Sequence, residues 1–329
     1  MTDTNTSPRL SVTVTNYNYA DYLPRNIESV LSQSFDDLEL IVIDNASTDN
    51  SVELVQKYAA GDPRIRLIAH EVNQGSLASF RESCDVSRGR YRVQVDADDW
   101  VRMPDAFERQ VRLLDANPQM TFAFSALTME GDDGQEPSIY RPFHGDQVLH
   151  GEDALDGILG FSLGHSGMML RLDAYRACGG YPDGFKYYDD MLLAVRLAEL
   201  GDVGYVDDGL YAGRQHSGNE HLTPQLKVVE QEILPIIDIA FSGPLGQRLP
   251  DAAAARRRIE KRALVHHATF HIFSGRPRQG WRLYWESAKA RPVETIFQLR
   301  TINLVARTAL GGTAYAKVTD AMKRVLRRG

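Results

Sequence analysis

The sequence is poor in cysteine and has no long apolar run. Two cysteines, Cys84 and Cys178, occur in 329 residues, and they form neither a C-x-x-C pair nor a disulfide framework. We therefore expect small packing side chains at both positions and a reducing, cytoplasmic environment. The first eight residues are polar, which does not fit a secretory signal peptide. No apolar run approaches about 18 residues, so we expect no membrane-spanning helix.

A glycine-rich phosphate loop is also missing at the place where two enzyme classes need one. The first predicted strand, Leu10–Thr15, is followed by Asn-Tyr-Asn-Tyr at 16–19. A dinucleotide-dependent dehydrogenase would carry G-x-G-x-x-G there. A nucleotidyltransferase would carry a glycine-rich loop with Lys or Arg. Both classes are therefore disfavoured.

Charge is distributed unevenly along the chain, whose formal net charge is −7. Residues 256–329 carry 17 Lys and Arg against 4 Asp and Glu, whereas residues 1–224 carry 18 against 36. An acidic body with a basic tail indicates two tasks in one chain. We predict an acidic α/β domain over 1–224 and a basic helical extension over 225–329. The acidic body and the lack of a recognised binding module disfavour a nucleic-acid partner.

Strand patterns and helix patterns alternate through the first hundred residues. The unit repeats about every 25–30 residues, which predicts an α/β fold with a mostly parallel sheet flanked by helices. The predicted strands are Leu10–Thr15, Leu38–Ile43, Ile65–Ala69 and a fourth from Tyr91, and the predicted helices span about 21–33, 49–59 and 76–86.

Polar side chains follow three of these strands, at Asn16, Asp44 and Asp96. Ligands of open α/β sheets bind beyond the carboxyl ends of the strands, so these residues should line one crevice. Asp96, Asp98 and Asp99 fall within four residues, and they repel one another unless a cation or protons neutralise them. Carboxylate oxygens favour a hard cation such as Mg²⁺ or Mn²⁺. The simpler interpretation is a solvated acidic turn.

Several segments carry a family resemblance when they are taken in order. They are SVTVTNYNYADYLPRNIESVLSQSF, LELIVIDNASTD, NQG, VDADD, GMMLR, CGGYP, DDMLLAVR and RQH, the last ending at His216. In this order and spacing, the chain resembles the inverting family 2 glycosyltransferases over roughly residues 9–220. The resemblance implies the Rossmann-like GT-A fold.

The resemblance also implies an activity and a setting. The expected enzyme is metal-dependent and moves a sugar from a nucleotide-diphosphate sugar, of the UDP type, to a hydroxyl of a glycan or a lipid-linked acceptor. Its expected task is bacterial surface polysaccharide assembly, in the cytoplasm at the inner face of the membrane. The alternative from another class is a catalytically silent protein of the same fold that binds nucleotide sugars or acts as a scaffold.

The resemblance assigns nucleotide-binding roles to five residues. Asp44 would accept a hydrogen bond from a nucleobase N–H, while Asn16 and Tyr17 would flank the nucleotide. Arg81 would lie near the nucleotide, although FRESC departs by one position from the family pattern. His216 would approach the diphosphate or the metal. Turn formation, a surface arginine and a structural histidine are the ordinary alternatives for these side chains.

The metal-binding roles fall on the acidic turn. The resemblance implies that Asp98 ligates Mn²⁺ or Mg²⁺ and that Asp96 helps to hold the ribose or the metal. Asp99 would either support the metal-binding residues without contacting the metal or lie on the acceptor side of the site.

The catalytic role falls on an acid pair that opens a helix. The resemblance places the general base at Asp190, with Asp189 in place of the more common Glu. Acids at a helix N-terminus also favour the helix dipole, which explains the pair without catalysis. The loop 161–166 is predicted to shape the acceptor pocket.

The tail reads as helices over roughly 225–241, 254–273, 277–290 and 294–328. The last of them combines an apolar stripe with a basic face, formed by Lys317, Arg324 and Arg328. Such a helix would either rest on an anionic membrane or pack on the acidic body.

Overall fold

The computed structural model describes residues 7–131, 138–162, 166–215 and 229–273. Ten strands in this part of the chain form one sheet. The strands are β1 (Leu10–Asn16), β2 (Leu38–Asp44), β3 (Ile65–Ala69), β4 (Tyr91–Gln94), β5 (Trp100–Val101), β6 (Met120–Gly131), β7 (Ser138–Tyr140), β8 (Gln147–Leu149), β9 (Met169–Arg171) and β10 (Asp202–Gln215).

Helices lie on both faces of this sheet. Those of the first 215 residues are α1 (Leu23–Leu31), α2 (Ser51–Gly61), α3 (Ser76–Asp85), α4 (Ala106–Ala116), α5 (Gly151–Gly157), α6 (Leu172–Ala177) and α7 (Asp189–Leu200). Beyond them lie a π-helical turn at Val229–Ile233, then α8 (Leu234–Ser242), α9 (Pro244–Gln247) and α10 (Ala252–Phe273).

The sheet runs in the order β3-β2-β1-β4-β9-β6-β10-β5, with β7 paired to β6 and β8 to β10. The strands β1 to β4 are parallel, and β6 runs parallel to β10. The antiparallel strand β9 lies between β4 and β6, so all six longer strands point the same way. Their carboxyl ends therefore meet at one edge, as the sequence predicts for a mostly parallel sheet.

Two apolar layers hold the helices to the sheet. Leu10, Val12 and Val14 alternate along β1 towards the face that α1, α2 and α4 cover. The opposite face is covered by α3, α5, α6, α7 and the helices of the extension. The local sequence explains the first layer, because Leu23 and Ile27 recur at helical spacing and both are fully buried.

A buried polar layer separates β1 and β4 from α3. Arg92 is fully buried and donates hydrogen bonds to Ser83 Oγ (2.6 Å) and Gln94 Oε1 (2.5 Å). Thr13 Oγ1 donates to the same oxygen of Gln94 at 2.8 Å. A buried charge must be hydrogen-bonded to be tolerated, and these partners supply such bonds. They also fix the orientation of the Gln94 amide, whose other end points towards Asp96.

The extension packs on the same face as α5 and α7. Ile236, Ile237 and Ile259 belong to one apolar cluster with residues of both helices. Arg258 and Arg262 of α10 form ion pairs with Glu152 and Asp156 of α5. The basic helix therefore docks on an acidic helix of the body, and the expected helical extension is confirmed.

Two features of the predicted tail cannot be compared with the structure. The helices expected at 277–290 and 294–328 lie outside the described residues, as does the boundary at 224. In the part of the chain that the structure does describe, every helix is too short or too polar to cross a membrane.

Candidate functional site

A carboxylate and an amide meet where β1 and β2 end. Asn16 and Asp44 are register partners, and the side-chain amide of Asn16 donates to Asp44 Oδ2 at 2.7 Å. The backbone N–H and the hydroxyl of Ser47 donate to the same carboxylate at 2.9 and 2.6 Å. Asp44 is buried, and the buried Oδ1 of Asn16 accepts no hydrogen bond from any described residue. An acceptor oxygen is thus left for a donor from a ligand.

The loop that follows β1 and the loop that follows β2 are joined by hydrogen bonds. Asn18 and Ala46 adopt left-handed backbone conformations, with φ of 60° and 65°. For residues other than glycine such conformations cost about 1–3 kcal/mol each, and the surrounding contacts must supply that energy. One such contact is the 2.7 Å bond from the Thr48 backbone N–H to Asn18 Oδ1. Tyr17, which lies in the loop after β1, has 45% of its surface exposed.

The acidic turn follows β4 and is held by helix α1. The backbone N–H of Asp99 donates to the carbonyl of Asp96 at 2.9 Å, which closes the turn. The buried amide of Asn26 donates to the carbonyls of both residues, at 2.8 and 2.9 Å. The turn therefore has a fixed shape beside the ends of β1 and β2.

The three carboxylates of this turn have different surroundings. Asp99 accepts hydrogen bonds from Ser166 Oγ (2.5 Å) and from the backbone N–H of Arg214 (3.0 Å). Burial raises the pKa of Asp99 well above its usual range, and the charges of Asp96 and Asp98 act in the same direction. Asp99 thus ties the turn to the loop before β9 and to the end of β10. The side chains of Asp96, Asp98 and Asp99 are all partly exposed, so the three differ in their hydrogen-bond partners rather than in exposure.

The site contains a chain of contacts behind Asp96. Gln94 Nε2 lies 3.3 Å from Asp96 Oδ1, and Ser166 Oγ lies 2.9 Å from the Asp96 backbone nitrogen. Because Arg92 and Thr13 fix the amide of Gln94, its N–H group is directed at the carboxylate. Asp96 is therefore held from two sides.

These carboxylates fit a cation that is shared with a ligand. Mg²⁺ and Mn²⁺ commonly bind through one or two carboxylates together with substrate phosphates. Asp96 and Asp98 offer such a pair. Among the described residues there is no group of three or more His, Cys, Asp or Glu side chains arranged to hold an ion by themselves. Two carboxylates would leave the remaining ligand positions of such an ion to water or to the phosphates of a ligand.

Arg81 of α3 contacts the segment that precedes α7. Its guanidinium donates to the Tyr181 carbonyl at 2.8 Å and to Asp183 Oδ1 at 2.7 Å. These bonds direct the side chain towards the segment that precedes α7. The nucleotide-binding role of Arg81 stays a prediction.

Asp190 opens helix α7 together with Asp189. The Asp190 carboxylate accepts a 2.7 Å hydrogen bond from the backbone N–H of Met191 and is partly exposed, whereas Asp189 is buried. Burial raises the pKa of the Tyr181 hydroxyl well above its usual range, and the negative charge of Asp189 adds to that rise. The same hydroxyl lies 3.4 Å from a nitrogen of Arg92. Hydrogen bonds through Arg92 and Gln94 therefore connect Tyr181, in the segment before α7, to Asp96 of the acidic turn.

Some predicted residues cannot be placed, and several structural ones were missed. His216 and residues 163–165 lie outside the described residues. Asn26 was missed, although a polar residue on the inner face of a helix is a usable signal in sequence. Ser47 and Ser166 gave no such signal, because serine is common in loops.

Sequence comparisons identify relatives of the chain. A model described as glycosyl transferase family 2 matches residues 11–173. The chain is 30% identical over 224 residues to EpsE of Bacillus subtilis (strain 168), a glycosyltransferase by provisional name, and the match spans 65% of this chain and 75% of EpsE. TuaG of the same organism, provisionally named a teichuronic acid biosynthesis glycosyltransferase, is 31% identical over 153 residues, or 46% of this chain and 59% of TuaG.

Solved structures share the fold. S. aureus TarS 1-349 in complex with UDP-GlcNAc superposes with a TM-score of 0.61 at 17% identity, covering 91% of this chain and 80% of TarS 1-349. The mannosyltransferase PcManGT from Pyrobaculum calidifontis, in complex with GDP-Man and Mn²⁺, gives 0.55 at 16% identity, covering 93% and 88%. The expected GT-A fold is confirmed by these likenesses.

Proposed function

Since the chain belongs to glycosyltransferase family 2, we propose that it is an inverting enzyme that moves a sugar from a nucleotide-diphosphate sugar to a hydroxyl acceptor. The observation that carries the proposal is the meeting of two polar features at one sheet edge. The Asn16–Asp44 pair ends β1 and β2, and the acidic turn follows the neighbouring strand β4. One feature suits a nucleoside, and the other suits a diphosphate with its cation.

The donor nucleoside would bind at the ends of β1 and β2. Asp44 would accept from a nucleobase N–H, and Asn16 Oδ1, which is buried without a partner among the described residues, would accept from a further donor. The exposed ring of Tyr17 offers a stacking surface. A UDP-sugar is the first donor to test, because TarS 1-349, which superposes with the higher TM-score of the two, is in complex with UDP-GlcNAc. GDP-Man, which PcManGT binds, is the second.

The diphosphate would lie against the acidic turn. Asp98 and Asp96 would hold a divalent cation, Mn²⁺ or Mg²⁺, and His216 would approach the same phosphates. When bound, the cation would offset the negative charge on the leaving diphosphate. Gln94 and Ser166 would keep the Asp96 segment in position.

The transfer itself would be a single displacement. Asp190 would take the proton of the acceptor hydroxyl as that oxygen attacks the anomeric carbon. The new bond joins the acceptor oxygen to the anomeric carbon, and the bond to the diphosphate oxygen breaks on the opposite face. The configuration at the anomeric carbon therefore inverts, and the nucleoside diphosphate leaves.

The setting we propose is bacterial surface polysaccharide assembly at the cytoplasmic face of the membrane, with a glycan or a lipid-linked acceptor. The provisional name of TuaG, which refers to teichuronic acid biosynthesis, supports such a setting. The arginines of α10 that pair with α5 are used within the protein. Residues 274–329 carry 12 Lys and Arg against 3 Asp and Glu, which would attract an anionic membrane.

The proposal is tested by incubating the full chain with a panel of nucleotide sugars, a panel of glycan and lipid-linked acceptors, and Mn²⁺. Loss of one donor, with release of its nucleoside diphosphate, is the expected result. NMR of the transferred sugar should show the anomeric configuration opposite to that of the donor. Retention of configuration would contradict the inverting mechanism. Tight nucleotide binding without any turnover would favour the catalytically silent alternative.

A further inference from the structure

Glu232, which belongs to the extension, contacts the segment immediately before Asp189 and Asp190. Its carboxylate accepts hydrogen bonds from three consecutive backbone N–H groups, those of Lys186 (3.2 Å), Tyr187 (2.9 Å) and Tyr188 (3.1 Å). Its own position lies 44 residues beyond Tyr188 in the chain. The contact is therefore a tertiary one between the extension and the catalytic domain.

The burial of this carboxylate needs a specific reason. Glu232 is only 8% exposed, and a buried charge is costly unless it is hydrogen-bonded. The three N–H groups point at it from the start of α7, where the helix dipole also favours negative charge. Successive backbone N–H groups of this kind form a concave anion site. Here a side chain of the same protein occupies that site.

The position of Glu232 is fixed from its own side as well. It lies in the π-helical turn Val229–Ile233, and Ile233 beside it is fully buried in the apolar cluster that contains α7. The turn leads directly into α8, which packs in the same cluster. A shift of the extension relative to the body would therefore move the carboxylate.

The contact lies close to the predicted general base. Asp190 is two residues beyond Tyr188, the last residue whose N–H the carboxylate binds. Burial raises the pKa of the Tyr188 hydroxyl, and the charges of Asp190 and Glu232 both add to that rise.

We propose that Glu232 is a positioning residue for sugar transfer, which sets the start of α7 and with it the carboxylate of Asp190. The extension then contributes to catalysis, because the hydrogen bonds from residues 186–188 to Glu232 fix the position of the base relative to the acceptor hydroxyl. This assignment rests on the proposed function, in which Asp190 is the base. It adds a residue that lies outside the segment matched by the family model, which ends at 173.

The test uses Glu232→Gln in the full chain. Glutamine keeps the size but replaces one carboxylate oxygen by an N–H₂ group, so at least one of the three backbone N–H groups would face another donor. We expect kcat for transfer to the acceptor to fall at least about tenfold, since small misplacements of a catalytic group are costly. The dissociation constant of the donor nucleotide, measured by calorimetry, should change less than about twofold.

A double variant separates positioning from a general loss of stability. If Glu232 acts through Asp190, then adding Glu232→Gln to Asp190→Asn should slow transfer no further, because residues that act as one unit are not additive. Glu232→Asp, which keeps both oxygens on a shorter side chain, should restore part of the rate. Hydrogen exchange at residues 186–188 should become faster in Glu232→Gln.

The matched control is Glu39→Gln, a buried carboxylate at the opposite end of the sheet. Glu39 accepts from Arg88 and Ser11 and lies 2% exposed. The Glu39→Gln variant should be less stable than the wild type, but its kcat, measured at a temperature below the unfolding transition, should not change.

The outcomes separate this assignment from the proposed function. Glu232→Gln with wild-type kcat, in a chain that Asp190→Asn inactivates, would overturn the assignment alone. Additive losses in the double variant would also overturn it. Wild-type protein that transfers sugar from no donor in the panel would overturn the proposed function, and this assignment with it.

Discussion

The side-chain amide of Asn16 donates a 2.7 Å hydrogen bond to the carboxylate of Asp44 across two neighbouring parallel strands. Ser47 adds two further hydrogen bonds to the same carboxylate. The carboxylate is therefore oriented before any nucleotide arrives, and a preorganised group loses little freedom on binding. The same contacts also mean that Asp44 contributes to the stability of the loops.

Asp44→Ala should weaken the binding of nucleoside diphosphate by about tenfold or more, because a hydrogen bond to a charged group is worth about 1.5–3 kcal/mol. Its melting temperature should fall as well. Asp49→Ala is the matched control, since Asp49 accepts from the backbone of Ala20 and Ser51 in the same pair of loops. Calorimetry should show weakened binding for Asp44→Ala only. Equal affinities in the two variants would remove Asp44 from the nucleotide site.

We expect Asp98 to bind the metal ion and Asp99 to stabilise the acidic turn. Mn²⁺ should tighten nucleotide binding in the wild type, and Asp98→Ala should abolish that gain. Asp99→Asn should keep the gain but lower the melting temperature, because the Asp99 carboxylate is engaged by Ser166 and the Arg214 backbone. Titrations with and without chelator measure both effects. If the metal dependence follows Asp99 and persists in Asp98→Ala, the assignment is reversed.

Asp190→Asn should lower kcat by at least about a hundredfold and leave donor affinity intact, because general-base catalysis contributes about 10²–10⁴ in rate. Asparagine keeps the shape but cannot take up the proton of the acceptor hydroxyl. Asp189→Asn serves as the comparison, since Asp189 is buried while Asp190 is partly exposed. Single-turnover rates with saturating donor measure the difference. A slow Asp189→Asn beside a fast Asp190→Asn would exchange the two roles.

Glu39 predicts a pH-dependent contribution to stability. Burial by itself raises the pKa of Glu39, but hydrogen bonds from Arg88, Ser11 and Arg66 outweigh burial and hold that pKa below its usual range. A carboxyl whose pKa is lowered in the folded state stabilises the protein above its unfolded pKa, which is about 4.3. That contribution is lost as the pH falls through the folded pKa.

Glu39→Gln should therefore reduce the free energy of unfolding at pH 7 by about 1–3 kcal/mol. The difference from the wild type should shrink at acidic pH, as the folded protein takes up a proton at Glu39. Urea unfolding at pH 7 and at an acidic pH measures it. Glu53→Gln, which breaks the exposed pair with Lys57, should change little at either pH. A Glu39→Gln effect of equal size at both pH values would contradict the linkage.

Local sequence was sufficient for most of the early fold. The apolar run Leu38–Ile43 was predicted as a strand of a parallel sheet, and it appears as β2, buried and one residue longer. The strand predicted at Ile65–Ala69 appears with those bounds as β3. The helix predicted from about residue 21 begins two residues later in the structure, at Leu23. The helix begins at Leu23 with Pro24 in its first turn, a position where proline is favourable.

Local sequence did not reveal the role of the polar residues Arg92 and Gln94 within β4. Arg92 and Gln94 alternate with apolar neighbours, which indicates a strand but not what covers its polar face. In the structure α3 covers that face, and Arg92 is fully buried with hydrogen bonds to Ser83 and Gln94. Side-chain periodicity reports which residues share a face, whereas the partner of that face is set by the packing of distant segments.

The sequence by itself determined the α/β pattern, the strand ends that carry Asn16, Asp44 and Asp96, and the family resemblance, because each depends on residues close together in the chain. Only the tertiary structure decided that Asp99 is engaged by Ser166 and that Glu232 holds the start of α7. These contacts join segments 67 and 45 residues apart. Their hydrogen bonds arise from the packing of the extension and of β9 on the sheet, which no local pattern of residues encodes.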